Sequence, residues 1–389
     1  MNRHRISYGI KRLVFLFLSL LIALASGSVS QIQAYASTND AREIPNAVYE
    51  QVELISLVFR LADSVAHWVF SDEDTDYQRS LEPAFRDFAD HPIMERTRDL
   101  TRTRGIGFDA PIIFAIHLEK ADGLFQFVYG ARVWELDTRW TPEIANEYLM
   151  LLNDFYIVSS FNAFFEENTA YFEWHSQRLH DELMGKINFG WFYQFGFNPA
   201  SMRTIIRPSG TRGHFGPTFL DTINYAVIGQ RTYPQNYGDL LPTTVHEFAH
   251  SFANPIAEAW YEEDENFRNL MESAASTVTR YNPFYTGTIT AAKEYVTRAF
   301  TILYLVENHD KDLLRLLLDE YNIGFRNIEA VYAMITEHEP MITRSVRLAA
   351  WLSGNAIIVA SLGGGIIFGS IVGAGIVLFE KNKKAKRGL

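Results

Sequence analysis

The chain has 389 residues, 48% of them hydrophobic and 14% aromatic, which is enough for one large packed core or two modest ones and excludes wholesale disorder. Its formal charge is −11 and it contains no cysteine, so disulfide staples and thiolate chemistry are excluded as well. An exported domain built this way has to rely on its core or on a bound metal.

Residues 1–36 read as a secretory leader. Arg3, Arg5, Lys11 and Arg12 precede an apolar run at 13–24 interrupted by Ser19, and small residues at Ala34 and Ala36 offer cleavage after Ala36. Ala25 is a second cleavage point, and an uncleaved anchor is the competing reading. Residues 47–70 then repeat apolar side chains at helical spacing (Val48, Val52, Ile55, Phe59), which predicts a helix with a buried face. The acidic run "SDEDTD" at 71–76 lacks the glycine turn and the terminal glutamate of an EF-hand loop, and reads as a solvated loop. "PIIFAIHL" and "LFQFVYGARVWEL", on either side of an "ADG" turn, predict a β-hairpin within 111–138. One long helical stretch is expected from Pro142 to about Leu183.

Two short strands follow, "RTIIRP" and "NYAVIG", separated by the glycine-rich "SGTRGHFGP". Beyond them the pattern is helical up to residue 350. The sequence therefore predicts an α+β ectodomain: a helix-rich part with a hairpin at 37–190, then a part at 191–350 with a small mixed sheet and an active-site helix. Residues 356–379 carry no charge over 24 positions, about 36 Å as a helix, which is long enough to span a bilayer. Trp351 sits at one edge, and the tail at 380–389 contains "KNKKAKR". A single transmembrane helix at 351–379 is expected, with the ectodomain outside and a basic tail in the cytoplasm. Gly365, Gly369 and Gly373 would let a second copy of that helix approach closely, although transmembrane helices also tolerate glycine without pairing. Residues 1–36 hold four cations, and 351–389 hold five cations and one acid. Setting both aside leaves 26 cations against 45 acids, a formal charge of −19. Such a surface argues against nucleic acid as a partner.

The chemistry concentrates in "PTTVHEFAHSFANP", residues 242–255. His246 and His250, four apart on a helix, share a face and can aim two ring nitrogens at one zinc ion, while Glu247 beside them can serve as general base. Pro242 suits the first turn of this helix, Val245, Phe248, Ala249 and Phe252 can face a core, and Asn254-Pro255 marks its expected end. A catalytic zinc needs a third protein ligand and one open position. Ala253 and Ile256 stand where the extended metzincin pattern has glycine and histidine, so a downstream carboxylate is the remaining solution. Two compete: Glu272, 22 residues after His250, and Glu294, 44 after it. Glu294 is preferred because it lies on the polar stripe (Thr290, Glu294, Thr297, Thr301) of an otherwise apolar helix, while an i to i+4 pair with Arg298 is its non-ligand alternative.

"HEFAHSFANP" together with "KEYVTRAF" resembles the zincin superfamily of zinc metallopeptidases, in its glutamate-ligand branch. More narrowly, most of residues 50–310 is similar to a bacterial family of exported proteins of unassigned function, sharing segments like "VELISLVFRLA" and "LLNDFYIVSSFNAFF", an HEFxHSFxNP core and a later E-x-x-x-R-A. The resemblance implies one zinc ion held by His246, His250 and Glu294, with Glu247 as catalytic base. The N-E-x-x-S-D setting of the better-known glutamate zincins is missing around Glu294. Peptide or protein substrate is the implied partner, with "NYAVIG" as the strand along which it would pair. Several tyrosines and His214 are available as carbonyl-side donors, His214 reading first as a loop residue. The alternative function is a membrane-tethered binding or sensor ectodomain whose metal is structural or absent.

Overall fold

Apolar spacing and helix caps account for most of the first half of the chain. The structure is a computed structural model that describes residues 47–337 apart from 64–68, 71–74, 196–200, 211–212, 221–222, 230–235 and 283–284. Helix α1 (Glu50–Leu61) buries Val52, Leu54, Ile55, Leu57, Val58 and Phe59 together with Glu53, Ser56 and Arg60, so it is enclosed on nearly every side, as a central core helix is. Helix α2 (Asp76–Phe85) starts at a reciprocal cap between Thr75 and Gln78. Helix α3 (Pro92–Arg104) has proline in its first turn and stops at Gly105, whose φ is +66°.

The expected hairpin is shorter than the sequence suggested. Its first arm is mostly helix α4 (Ala110–Ile116), followed by two four-residue strands, β1 (Leu118–Ala121) and β2 (Leu124–Phe127), paired antiparallel from Leu118 with Phe127 to Ala121 with Leu124. The reason lies in "PIIFAI": a short continuous apolar run has no period that separates strand from helix, and a proline in the first turn favours the helix. Past β2 the second arm becomes the short helix α5 (Val133–Leu136). The single stretch expected from Pro142 also divides, into α6 (Pro142–Val158), α7 (Phe161–Glu167) and α8 (Thr169–Glu182). Ser160 at φ +53° makes the first break, since a left-handed residue cannot continue the helix. Helix α9 (Phe189–Phe192) follows.

Strands β3 (Met202–Arg207), β4 (Thr218–Phe219) and β5 (Ile223–Gly229) form a mixed sheet of order β3-β5-β4. β5 runs parallel to β3 from Met202–Asn224 to Arg207–Gly229 and antiparallel to β4, and Phe215 bridges to Val227. The N-terminal helices hold this sheet in place: Ile206 N–H donates to the carbonyl of Ala47 (2.8 Å), and the buried carboxylate of Glu53 accepts from Ser209 N (3.1 Å), Ser209 Oγ (3.0 Å) and the Tyr77 hydroxyl (2.9 Å).

Beyond the sheet the described residues are mostly helical: α10 (Leu241–Glu263), α11 (Glu265–Tyr281), α12 (Thr288–His309) and α13 (Leu313–Asn322). α10 and α12 meet through aromatic contacts. Phe252 stacks on Phe195 with centroids 4.7 Å apart and lies edge-on to Phe300 at 4.9 Å, and each such ring contributes about 1.5–3 kcal/mol by burial. α10 does not end at Asn254-Pro255 as expected, but runs on to Glu263 with Pro255 inside it. Proline gives up one backbone hydrogen bond there, while the buried Phe252, Ala253 and Ala257 continue the packed face past it.

The result is a helix-rich α+β fold. Among the described residues no helix is long and apolar enough to cross a membrane. The expected leader at 1–36, the transmembrane stretch at 351–379 and the basic tail at 380–389 lie outside the described residues, as does most of the acidic run at 71–76.

Candidate metal centre

The motif residues sit on the early turns of α10, which begins with Pro242 in its first turn as the sequence predicts. Val245, Phe248, Ala249 and Phe252 are buried and fix the rotation of the helix. His246 and His250 are thereby placed on a common face, with ring centroids 4.7 Å apart and planes at 85°. α12 is positioned by Ala291, Ala292, Tyr295, Val296, Ala299 and Phe300, all buried, and it carries Glu294 into the interior at 7% exposure. Glu272 does not join the group: it lies exposed on α11.

His246 Nε2 is 3.6 Å from Glu294 Oε2, and His250 Nε2 is 3.5 Å from Glu294 Oε1. One ligand atom from each of the three residues lies within 4.8 Å of the others. Such separations exceed the roughly 2.7–3.2 Å of an N–H···O hydrogen bond. They match the roughly 3.4 Å between two ligands that each stand about 2.1 Å from one tetrahedral ion. Glu294 Oε2 is buried and has no hydrogen-bond partner. This group could hold a metal ion, and its donors are those that bind one.

The surroundings orient the donors. His250 Nδ1 is 3.2 Å from Asn254 Oδ1 and 3.2 Å from Thr297 Oγ1. An amide oxygen can only accept, so Nδ1 carries the proton and the Nε2 lone pair is left for a metal, the usual arrangement of a ligating histidine. Burial, with His250, Arg298 and His214 adding to it, drives the His246 pKa well below its ordinary value and keeps the imidazole neutral. Glu247 is 7% exposed, and burial followed by the charge of Glu294 drives its pKa well above the carboxylate range; Arg298 opposes this and Asp109, from the residue preceding α4, adds to it. A neutral imidazole at His246 and two crowded acidic side chains make an environment that favours a cation.

The sheet edge passes close to this helix. A Cβ placed on Gly216 would fall 2.3 Å from the carbonyl oxygen of Glu247, so the backbone at Gly216 lies against the backbone of Glu247 and needs a glycine to do so. "NYAVIG" cannot accept an extended substrate, because β5 is the central strand, flanked by β3 on one side and by β4 and Phe215 on the other. Among the described residues the segment Phe215–Phe219 forms the outer edge on that side. His214 Nδ1 accepts from Gly229 N at 3.2 Å, which ties the glycine-rich loop to the end of β5.

Four contributors go beyond the three ligand candidates and Glu247. Thr297 and Asn254 brace His250. Arg298, one turn after Glu294, places its Nε 3.5 Å from Glu294 Oε2. Tyr285 is largely buried, and its hydroxyl lies 3.5 Å from Arg298 Nη2; burial and the charge of Glu294 push its pKa up, so that it stays a proton donor. The polar stripe of α12 marked Thr297, whereas Tyr285 sits in a loop that gave no signal.

The sequence profile of a family described as a domain of unknown function (DUF4932) matches residues 48–348, and the chain belongs to that family. No curated protein and no solved structure matches it.

Proposed function

We propose that this member of the DUF4932 family is a membrane-anchored, extracytoplasmic zinc metallopeptidase that hydrolyses peptide bonds. The observation that carries the reading is the meeting of His246 and His250 from α10 with Glu294 from α12, while Glu247 is buried beside them and outside the ligand set. Two imidazoles and one carboxylate form a donor set that catalytic zinc uses, with a further position left open. The resemblance of the same residues to the glutamate-ligand zincins supports the choice of metal.

When bound, the ion supplies Lewis acidity, making a water molecule acidic near neutral pH and polarising a peptide carbonyl. The protein's own residues carry the rest. Glu247, whose raised pKa a bound cation would bring back down by offsetting the charge of Glu294, takes the proton of the attacking water on a carboxylate oxygen and returns it to the leaving amine nitrogen. Asn254 and Thr297 hold His250 in the tautomer and orientation it needs. An extended substrate pairs with the outer edge at Phe215–Phe219, which brings its backbone alongside Glu247. The anchor and the side of the membrane rest on the leader at 1–36, the uncharged run at 356–379 and the basic residues after it.

The test is metal content by mass spectrometry on the full chain, comparing wild type with His246→Ala, Glu272→Ala and Glu294→Ala, followed by cleavage of a peptide library. One zinc per chain, lost with His246 and Glu294 and kept with Glu272, is the expected result. A zinc-loaded chain that cleaves no peptide, or a chain that takes up no zinc, sinks the proposal.

A further inference from the structure

We infer that Arg298 is a positioning residue that sets the metal affinity of the centre by holding the Glu294 carboxylate, and that Glu320 of α13 and Phe325 anchor it in turn. This rests on the metallopeptidase reading. An i to i+4 pair on an exposed helix contributes little, but this guanidinium is enclosed, with 16% of its side chain exposed. It lies over the ring of Phe325 at 4.1 Å, donates from Nη1 to Glu320 Oε2 at 2.7 Å, and keeps Nη2 3.5 Å from the Tyr285 hydroxyl. The ring and Glu320 fix the plane of the guanidinium, and once that plane is fixed the directions of all its donors are fixed too.

The third side of the guanidinium faces Glu294. Its Nε and Glu294 Oε2 are both buried without a hydrogen bond, 3.5 Å apart, so each meets the other's charge. A glutamate side chain left free would have to give up its rotamer freedom on binding a metal. One already held by an anchored cation has given it up on folding. The charge of Arg298 also reaches His246, Glu247 and Tyr285, so one side chain sets the field at the ligands, the base and a hydroxyl beside them. Through Glu320, α13 becomes part of the centre without touching any ligand.

A merely structural Arg298 would tie α12 to α13 and leave the zinc affinity of the folded protein alone. The experiment measures zinc affinity of the full chain in detergent by competition with a chromophoric chelator, and the unfolding temperature of the metal-free protein alongside. Arg298→Met should weaken zinc binding by about 10- to 100-fold. Arg298→Lys, which keeps the charge and loses the fork, should recover part of that. Glu320→Gln, which touches no ligand, should show a smaller loss in the same direction, and combining it with Arg298→Met should add little, because the two act through one contact. If Arg298→Lys and Glu320→Gln both bind zinc within about twofold of wild type, whatever their unfolding temperatures, the inference is overturned. His246→Ala separates the two levels: zinc binding that survives it refutes the metal centre itself, not only the part assigned to Arg298.

Discussion

Replacing Gly216 by alanine tests how the sheet edge is seated on α10. The added Cβ would stand 2.3 Å from the carbonyl oxygen of Glu247, 3.1 Å from its carbonyl carbon and 3.3 Å from its Cα. Ordinary contacts of this kind lie near 3.5 Å, so the two backbones must separate by about 1 Å. Neither can yield by rotating a side chain, because the atoms met are the main chain of a helix. The stability cost should therefore fall at the upper end for overpacking, about 3 kcal/mol. Glu247 moves with its own backbone, and a misplacement of about 1 Å at a reacting group costs on the order of 100-fold in rate. Urea unfolding gives the first number, and turnover per bound zinc gives the second. Gly123→Ala is the control: its φ is +83° with nothing within 4 Å of the added atom, so it should cost about 1 kcal/mol through backbone strain alone and leave turnover intact. A Gly216→Ala protein as stable and as active as wild type would refute the close seating, and with it the placement of substrate along Phe215–Phe219.

Glu247→Gln should abolish turnover while the chain retains one zinc, and a variant that still cleaves would remove Glu247 from the mechanism. Chelation should lower the unfolding temperature and added zinc should restore it, by about 2.7 kcal/mol at a concentration of 100 times Kd; a melting curve indifferent to zinc counts against a folded-state site. Thr297→Val and Asn254→Ala should each weaken zinc binding by about 10-fold through loss of the brace on His250, as read by chelator competition. Glu53 supplies the pH dependence: burial pushes its carboxyl up to about 7, against hydrogen bonds from Tyr77 and Ser209 and the charge of Arg207. The folded pKa exceeds the unfolded one, so its contribution is full below pH 4.5 and is lost as pH rises through 7, about 3 kcal/mol over that window. Urea unfolding of wild type against Glu53→Gln between pH 4.5 and 8 should show the difference shrinking by that amount, and a difference flat in pH would contradict it.

What could be read in the sequence follows from range. His246 and His250 share a face because helical period alone puts them there, and the polar stripe that includes Glu294 and Thr297 stands out because most of the positions around it in α12 are apolar. Glu272 stands nearer to His250 in the chain, 22 residues against 44, but lies exposed on α11. Where local signals competed with packing, the reading failed: "PIIFAI" lacks a period and became α4, and Pro255 looked like a stop until the apolar face beyond it carried α10 to Glu263. β4 has two residues, too few for any alternation, so the edge of the sheet among the described residues carries no sequence signal and the expectation falls on β5 instead. The contact of Gly216 with Glu247 and the gathering of Tyr285, Glu320 and Phe325 around Arg298 depend on tertiary placement, for which a single sequence holds no period.

The fold itself offers a comparison that bears on whether the three residues form a metal site or an ordinary buried cluster. Glu53 is a structural buried carboxylate in the same chain, and the protein satisfies it in the usual way, with a tyrosine hydroxyl, a serine hydroxyl and a backbone N–H at 2.9–3.1 Å. Glu294 is also buried, at 7% exposure against 1% for Glu53, yet its buried Oε2 has no hydrogen bond, and its imidazole neighbours stand back at 3.5 and 3.6 Å. If the histidines were there to hydrogen-bond the carboxylate, they would close to about 2.8 Å and gain a charge-assisted bond. Arg298 meets part of its charge from 3.5 Å but gives it no hydrogen bond, and a packed interior that supplies three donors to Glu53 has no structural reason to leave Glu294 without them. The gap has the size that a shared cation needs, which is why the metal reading accounts for the spacing and a hydrogen-bonded cluster does not.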